Sequence, residues 1–425
     1  MSLHSLVRAV RHPVAANSLA ILFLRGTTIG ARLIALFLIA RFASPVEFGY
    51  VAFGLSIAEI AKVIADFGLD TFSVRELAIT QDVKAKQRFL SILAFTKLLC
   101  GLLVYIILLI FFVFRQDIAP VGIMAILGLL VLTGLWSNLT ITYFQAHLRV
   151  NEIIVPVIVT NIISIFIIAL LSVFKPNILL GLVVLPVAET INMLILLQHL
   201  RREVTLTREK WQLAEVLKLL HRGLPIAVTV ILVTLYTRLD VVVLKSFLGA
   251  EAVAYYSIAF RMTEPFLFIA SALGSSMYSH VSTTLINNSI SRARFLLTRY
   301  ATGLLFYGLI CCILLTLIAP IVINRLLPDY SPAIPILQIL ALALIFRTVN
   351  IPLNSTILAF GRFAIITYVA IFNLILISAS LFYFVPQYGA QGAAFCLLIG
   401  EGINTGIHLA ILTWIFVRKK QDYSQ

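Results

Sequence analysis

Charge is the scarcest commodity in this sequence. Only 12% of its 425 residues are Asp, Glu, Lys or Arg, about half the share of an ordinary soluble domain. With a mean hydropathy of +1.05, the chain lacks the polar cover that a water-exposed surface needs. A soluble enzyme and a nucleic-acid binder are therefore excluded. Cysteine is rare as well. Cys100, Cys311, Cys312 and Cys396 each lie inside an apolar run; the adjacent pair lacks metal-ligand spacing, so neither a disulfide scaffold nor a metal centre is expected. There is no phosphate-cradling GxxxxGK[ST], and the seven histidines are scattered without an HExxH. No nucleotide hydrolysis, metal or other cofactor is indicated.

What the chain has in quantity is hydrocarbon. Apolar residues make up 61% of it, and at roughly 20 per bilayer-spanning helix that supplies roughly a dozen spans. The apolar runs fall at about 15–42, 46–68, 89–114, 120–144, 152–174 and 178–199, then 224–248, 254–284, 295–323, 333–358, 363–385 and 391–417. The expected architecture is an all-α polytopic membrane protein of about twelve transmembrane helices. Arg8 and Arg11 precede the first run as in a signal peptide, but no small-x-small cleavage site follows, so a retained first helix is expected.

Loop charge sets the orientation. With both termini placed on one side, that side collects twenty Lys and Arg, against Arg41, Arg115, Lys175, Lys245 and Arg325 on the other. The bias makes the richer side cytoplasmic and explains the net charge of +14 without nucleic acid. The chain then divides into an N-terminal six-helix bundle (1–199), a linker (200–222) and a C-terminal six-helix bundle (223–425). Trp211, Leu213, Leu217 and Leu220 among the linker's charges mark an amphipathic cytoplasmic helix at headgroup level.

The two halves carry a weak repeat. Ser44–Ala52 (SPVEFGYVA) closes the first hairpin and Gly249–Ser257 (GAEAVAYYS) the equivalent one, and in this register Glu59 falls on Glu264. Six spans per half makes the repeat parallel, about an axis along the membrane normal, with a central cleft between the bundles.

Ionisable groups at mid-membrane cost roughly 2.5–3.5 kcal/mol each on insertion scales, so each needs a reason. Arg25 and Arg32 share a face of span one; Glu59, Lys62 and Asp66 lie on span two, Arg238 and Asp240 on span seven, and Arg261 and Glu264 on span eight. These equivalent spans are expected to line the cleft. Arg25, Arg32, Lys62, Arg238, Arg261 and Arg347 are the candidate cations for a diphosphate, which guanidinium binds as a bidentate fork. Glu59, Asp66, Asp240 and Glu264 are the candidate ion-coupling acids. Bland roles compete with these. Arg25, Lys97 and Arg238 can snorkel to a helix end, and Glu59/Lys62 and Arg261/Glu264 are i,i+3 pairs able to neutralise themselves. Glu189 and Glu401 suit either a coupling ion or hydrogen bonds between helices, the latter being favoured. Pro156, Pro186, Pro225 and Pro265 permit bending.

Several stretches together resemble one known family. Ala40–Tyr50 (ARFASPVEFGY), Ala65–Leu69 (ADFGL) and Val74–Leu77 (VREL) look like the opening of polysaccharide-biosynthesis flippases, the Wzx-like O-antigen and exopolysaccharide exporters of the MOP superfamily. Thr237–Asp240 (TRLD) with Leu248–Val253 (LGAEAV) resembles the start of that family's second half, and Leu327–Ala333 (LPDYSPA) and Pro386–Ala394 (PQYGAQGAA) its late loops. Ala254 and Val51 depart from the family's usual Gly and Tyr.

The resemblance implies translocation of an undecaprenyl-diphosphate-linked oligosaccharide across a bacterial inner membrane, through a cavity with arginines in the first helix of each half. It implies lipid-linked oligosaccharide and membrane lipids as partners, with polymerase and chain-length proteins beside them. A MATE-like antiporter of small cations is the first alternative, and would favour an acidic cavity. A membrane enzyme of glycan polymerisation or ligation is the second, disfavoured because every outer loop is short.

Overall fold

The computed structural model describes residues 13–173, 178–204, 213–286 and 289–422. Arg8, Arg11, Lys175, Arg208, Lys210 and Trp211 of the predicted termini and loops lie outside the described residues, as does 205–212 of the predicted linker. Among the described residues all regular structure is helical, in twelve α-helices and one 3-10 turn. In chain order the helices are α1 (Pro13–Phe42), α2 (Pro45–Asp66), α3 (Leu69–Ile79), α4 (Val83–Phe114), α5 (Val121–Ala146), α6 (Asn151–Val173) and α7 (Ile178–Glu203). They continue with α8 (Leu213–Leu248), α9 (Ala250–Ile286), α10 (Ile290–Leu326), α11 (Ala333–Ala359) and α12 (Phe363–Asp422).

Ten of these are long and apolar enough to cross a bilayer. The tally differs from the twelve predicted runs for two reasons. Phe363–Arg418 counts once, and α9 falls outside the ten. Gly389, at φ 62°, interrupts α12. Asn373 Nδ2 donates to Asn404 Oδ1 (3.2 Å), Ile377 lies against Gly400, and the Phe384 carbonyl lies against Gly392. These pairings run antiparallel about the break, so α12 is a hairpin whose arms are the last two predicted spans.

Many large apolar side chains point outward. On α4 only 17% of the most apolar window is buried, and Leu103, Ile107, Ile110 and Phe114 stand exposed. Such a surface is stable only in hydrocarbon, where helices satisfy every backbone group internally. All four cysteines are free thiols within helices, three of them buried.

The chain divides into two compact units: Met1–Ala43 with Tyr50–Thr234, and Ser44–Gly49 with Leu235–Gln425. The division thus falls inside α8, not in the polar stretch 200–222. Residues 213–222 are the opening turns of α8 rather than a separate helix. Leu219 joins the first unit's core with Leu69, Leu77, Leu90 and Leu139, and Arg88 donates to Glu215 at 2.7 Å. Local chemistry starts α2. Ser44 and Glu47 form a reciprocal capping box, with the Ser44 N–H donating to Glu47 Oε2 (2.9 Å) and the Glu47 N–H to Ser44 Oγ (3.3 Å).

Between α2 and α3 the backbone turns through two left-handed residues, Phe67 (φ 51°) and Gly68 (φ 70°). A Cβ on Gly68 would lie 2.7 Å from the Ala227 nitrogen of α8, a backbone atom that cannot swing aside. Gly68→Ala is therefore expected to lower stability by about 1–3 kcal/mol or more, since left-handed strain adds to the clash. Gly122→Ala on α5, with nothing within 4 Å of the new carbon, should be tolerated. Thermal unfolding of the two purified variants in detergent checks this.

Candidate functional site

In the first unit the left-handed turn has a chemical consequence. It places Asp66, the last residue of α2, and Asp70, in the first turn of α3, on the same ammonium. Lys97 of α4 donates to Asp66 Oδ1 and to Asp70 Oδ1 (2.7 Å for the latter). Asp70 also accepts from Asn138 Nδ2 (2.7 Å) and Thr142 Oγ1 (3.2 Å), neighbours one turn apart on α5. The second oxygen of Asp66 accepts the Asp70 N–H at 3.2 Å. Lys97 is 0% exposed, so it does not snorkel: its position is interior and its charge is matched on the spot. Lys62 lies against Gly134, whose missing side chain makes room for it, and adds a second positive charge near Asp70.

Nearer the middle of α1, Arg32 Nη2 pairs with Glu59 Oε1 of α2 at 2.8 Å. The partner of Glu59 is thus on a neighbouring helix, rather than Lys62 one turn on. The Arg32 side chain keeps 41% of its exposure. Arg25, on the same helix, is exposed. Glu189 of α7 accepts from Ser137 Oγ of α5 at 2.8 Å, a hydrogen bond between helices.

The second unit gathers its charges around one ring. Arg238 of α8 donates to Glu264 Oε1 of α9 at 3.1 Å. Arg261 reaches the other oxygen of Glu264 at 3.6 Å, so the predicted i,i+3 pair exists but shares its acid. The Arg238 guanidinium sits 5.1 Å from the centroid of Phe260, and that of Arg347 on α11 sits 5.3 Å from the same ring. Cation–π attraction to the ring helps hold both in place. Arg347 also meets Glu401 of α12 at 3.6 Å. Glu401 accepts Asn350 Nδ2 (2.7 Å), whose Oδ1 accepts Thr405 Oγ1 (2.8 Å). Asp240 is buried and accepts the Tyr256 hydroxyl and the Val241 N–H (2.7 Å).

Within each unit, then, the structure joins most of the predicted charges. Arg32 meets Glu59; Asp66 and Lys62 join the Lys97 cluster; Arg238 and Arg347 flank Phe260, and Arg238 shares Glu264 with Arg261. Asp240 stands apart with Tyr256. Six participants escaped the sequence reading: Asp70, Ser137, Asn138, Thr142, Phe260 and Thr405. Asp70 sits beyond the predicted end of span two. The i,i+4 spacing of Asn138 and Thr142 in an apolar helix was the available signal.

Comparison with known proteins follows this geometry. A family model described as "Polysaccharide biosynthesis protein" matches residues 14–278, and one described as "MatE" matches 225–384. No curated protein sequence matches the chain. Among solved structures, the lipid II flippase MurJ in an inward closed conformation is similar at TM-score 0.73 and 16% identity, over 93% of this chain and 89% of that one. An inward-facing multidrug resistance MATE transporter of the MOP superfamily gives TM-score 0.72 at 14% identity, over 95% and 99%. A MOP superfamily transporter from Pyrococcus furiosus, described as having a binding pocket of reverse polarity, gives 0.67 at 14%, over 96% and 97%. These solved relatives are transporters or flippases. The chain shares their fold and is a multi-pass membrane protein.

Removing Asp70 would leave Lys97 with Asp66 but strip Asn138 and Thr142 of their acceptor, and a buried polar group left unsatisfied costs about 1–3 kcal/mol. Asp70→Ala is expected to fall in that range by thermal unfolding. Asp117→Ala, at the exposed Arg115–Asp117 pair (3.0 Å), should leave the midpoint unchanged within error.

Proposed function

The chain belongs to the polysaccharide biosynthesis protein family, and from that premise we propose that it carries an undecaprenyl-diphosphate-linked oligosaccharide from the cytoplasmic to the periplasmic leaflet of a bacterial inner membrane. The observation that carries this reading is a recurrence. Each half has an arginine on its first long helix paired with a glutamate on its second, Arg32 with Glu59 and Arg238 with Glu264. The two pairs occupy the same places in the sequence repeat, one residue out of register for the arginines.

A guanidinium held by a carboxylate is neutral enough to sit in a membrane and still offers a planar fork to a stronger partner. In our reading phosphate oxygens compete with Glu59 for Arg32 in the first unit and with Glu264 for Arg238 in the second. A released acid takes up a proton or sodium ion, so the total charge changes little between loaded and empty states. Arg25 and Lys62 add positive potential in the first unit, and Arg261 and Arg347 in the second; sugars pass along polar side chains while the lipid tail stays in the bilayer. Asp66 and Asp240, each already bonded to a strong donor, act by fixing helices. Both termini are cytoplasmic, no catalytic step is involved, and glycan polymerase and chain-length proteins act downstream.

The second reading, a MATE-like antiporter, draws on the match over residues 225–384. It requires an acidic site for cations, whereas Arg238, Arg261 and Arg347 lead the second unit. Drug resistance on overexpression, with intact surface polysaccharide in a deletion strain, would favour it.

The test is a leaflet-accessibility assay on the lipid-linked sugar, combined with surface polysaccharide. Arg32→Ala and Arg25→Ala should accumulate in the membrane at normal levels and abolish export of the lipid-linked sugar. Normal surface polysaccharide in both variants would remove the arginines from the mechanism. Glu59→Gln should keep binding yet lose its dependence on the coupling ion.

A further inference from the structure

Lys97 and Asp70 have no part in the scheme above, and their cluster is built unlike the two Arg–Glu pairs. Those pairs join two helices and leave a side chain partly exposed. Lys97 instead is fully enclosed, and its ammonium is gripped by oxygens from separate elements, Asp66 of α2 and Asp70 of α3. Around them Asn138 and Thr142 of α5 hold the Asp70 carboxylate in a fixed orientation. The walls are fixed by backbone as well. Asp66 and Asp70 face one another across the left-handed Phe67 and Gly68, a turn that lies so near Ala227 that a Cβ on Gly68 would meet its nitrogen at 2.7 Å. Two carboxylates are thus held close whether or not an ammonium lies between them, and they need a positive charge there.

An ammonium resembles a hydrated-shell-free alkali ion in size and charge, and hard oxygen donors are what such ions choose. We propose that Lys97 is a tethered counter-ion filling a monovalent-cation site formed by the Asp66 and Asp70 carboxylates, with Asn138 and Thr142 orienting Asp70. The first unit therefore holds its cation permanently and draws none from solution at this cluster. The consequence for transport is that an exchangeable ion is taken up elsewhere in the molecule. The inference itself does not rest on any assigned substrate, and its test reads no transport.

The experiment is thermal unfolding of the full chain in detergent, in sodium, potassium and choline chloride at equal ionic strength. Wild type should unfold at one temperature in all three. Lys97→Ala should unfold earlier in choline and recover by several degrees, saturably, in sodium or potassium, because the emptied site accepts the ion. Lys97→Gln provides the same vacancy with a more conservative fill, in case truncation prevents folding. Adding Asp70→Asn to either variant should abolish the alkali response.

A salt bridge with a purely mechanical role would show none of this recovery. The proposal is overturned if neither Lys97 variant gains stability from alkali ions relative to choline, or if wild type gains as much. Failure of both variants to accumulate in cells, where potassium is abundant, overturns it equally.

Discussion

Every charged group placed in hydrocarbon must be neutralised where it stands. Arg32, Lys97, Arg238, Arg261 and Arg347 each lie beside a carboxylate, and for Arg32, Lys97, Arg238 and Arg347 that carboxylate lies on a different helix. These charges therefore fasten helices together as well as serving chemistry. Nothing in an apolar solvent drives helices together in the way water does, so such contacts and close glycine packing carry more of the association. The Lys97 cluster ties α2, α3, α4 and α5; the ring of charge about Phe260 ties α8, α9 and α11, and α12 through Glu401.

Much of this was legible in the chain. Apolar runs located all the long helices, because nothing but a bilayer explains so much exposed hydrocarbon. The register that set Glu59 against Glu264 picked out two acids that do the same job in the structure. Partner choice was not legible. Helical periodicity says which residues share a face, not which neighbour faces them, so the spacing offered Glu59 only Lys62, whereas the structure pairs it with Arg32 of another helix. Asp70 was hidden by the turn at Phe67 and Gly68, since a helix-based reading stops at such a break. Phe260 was one aromatic among many until two guanidiniums were seen to flank it.

The distinction between exposed and enclosed pairs organises the functional reading. A carboxylate that shares a partly exposed arginine can be displaced by a phosphate oxygen; one that shares an enclosed lysine with a second carboxylate cannot. The first unit has both kinds, at Arg32 and at Lys97. We read the former as the place where chemistry with substrate occurs and the latter as the fixed frame around it.

The single-residue reversal at Gly389 bears on how the protein is made. Asn373 meets Asn404 and the Phe384 carbonyl lies against Gly392, so the arms touch partners close in sequence and can pair once both are in the bilayer, before the rest of the second unit packs around them.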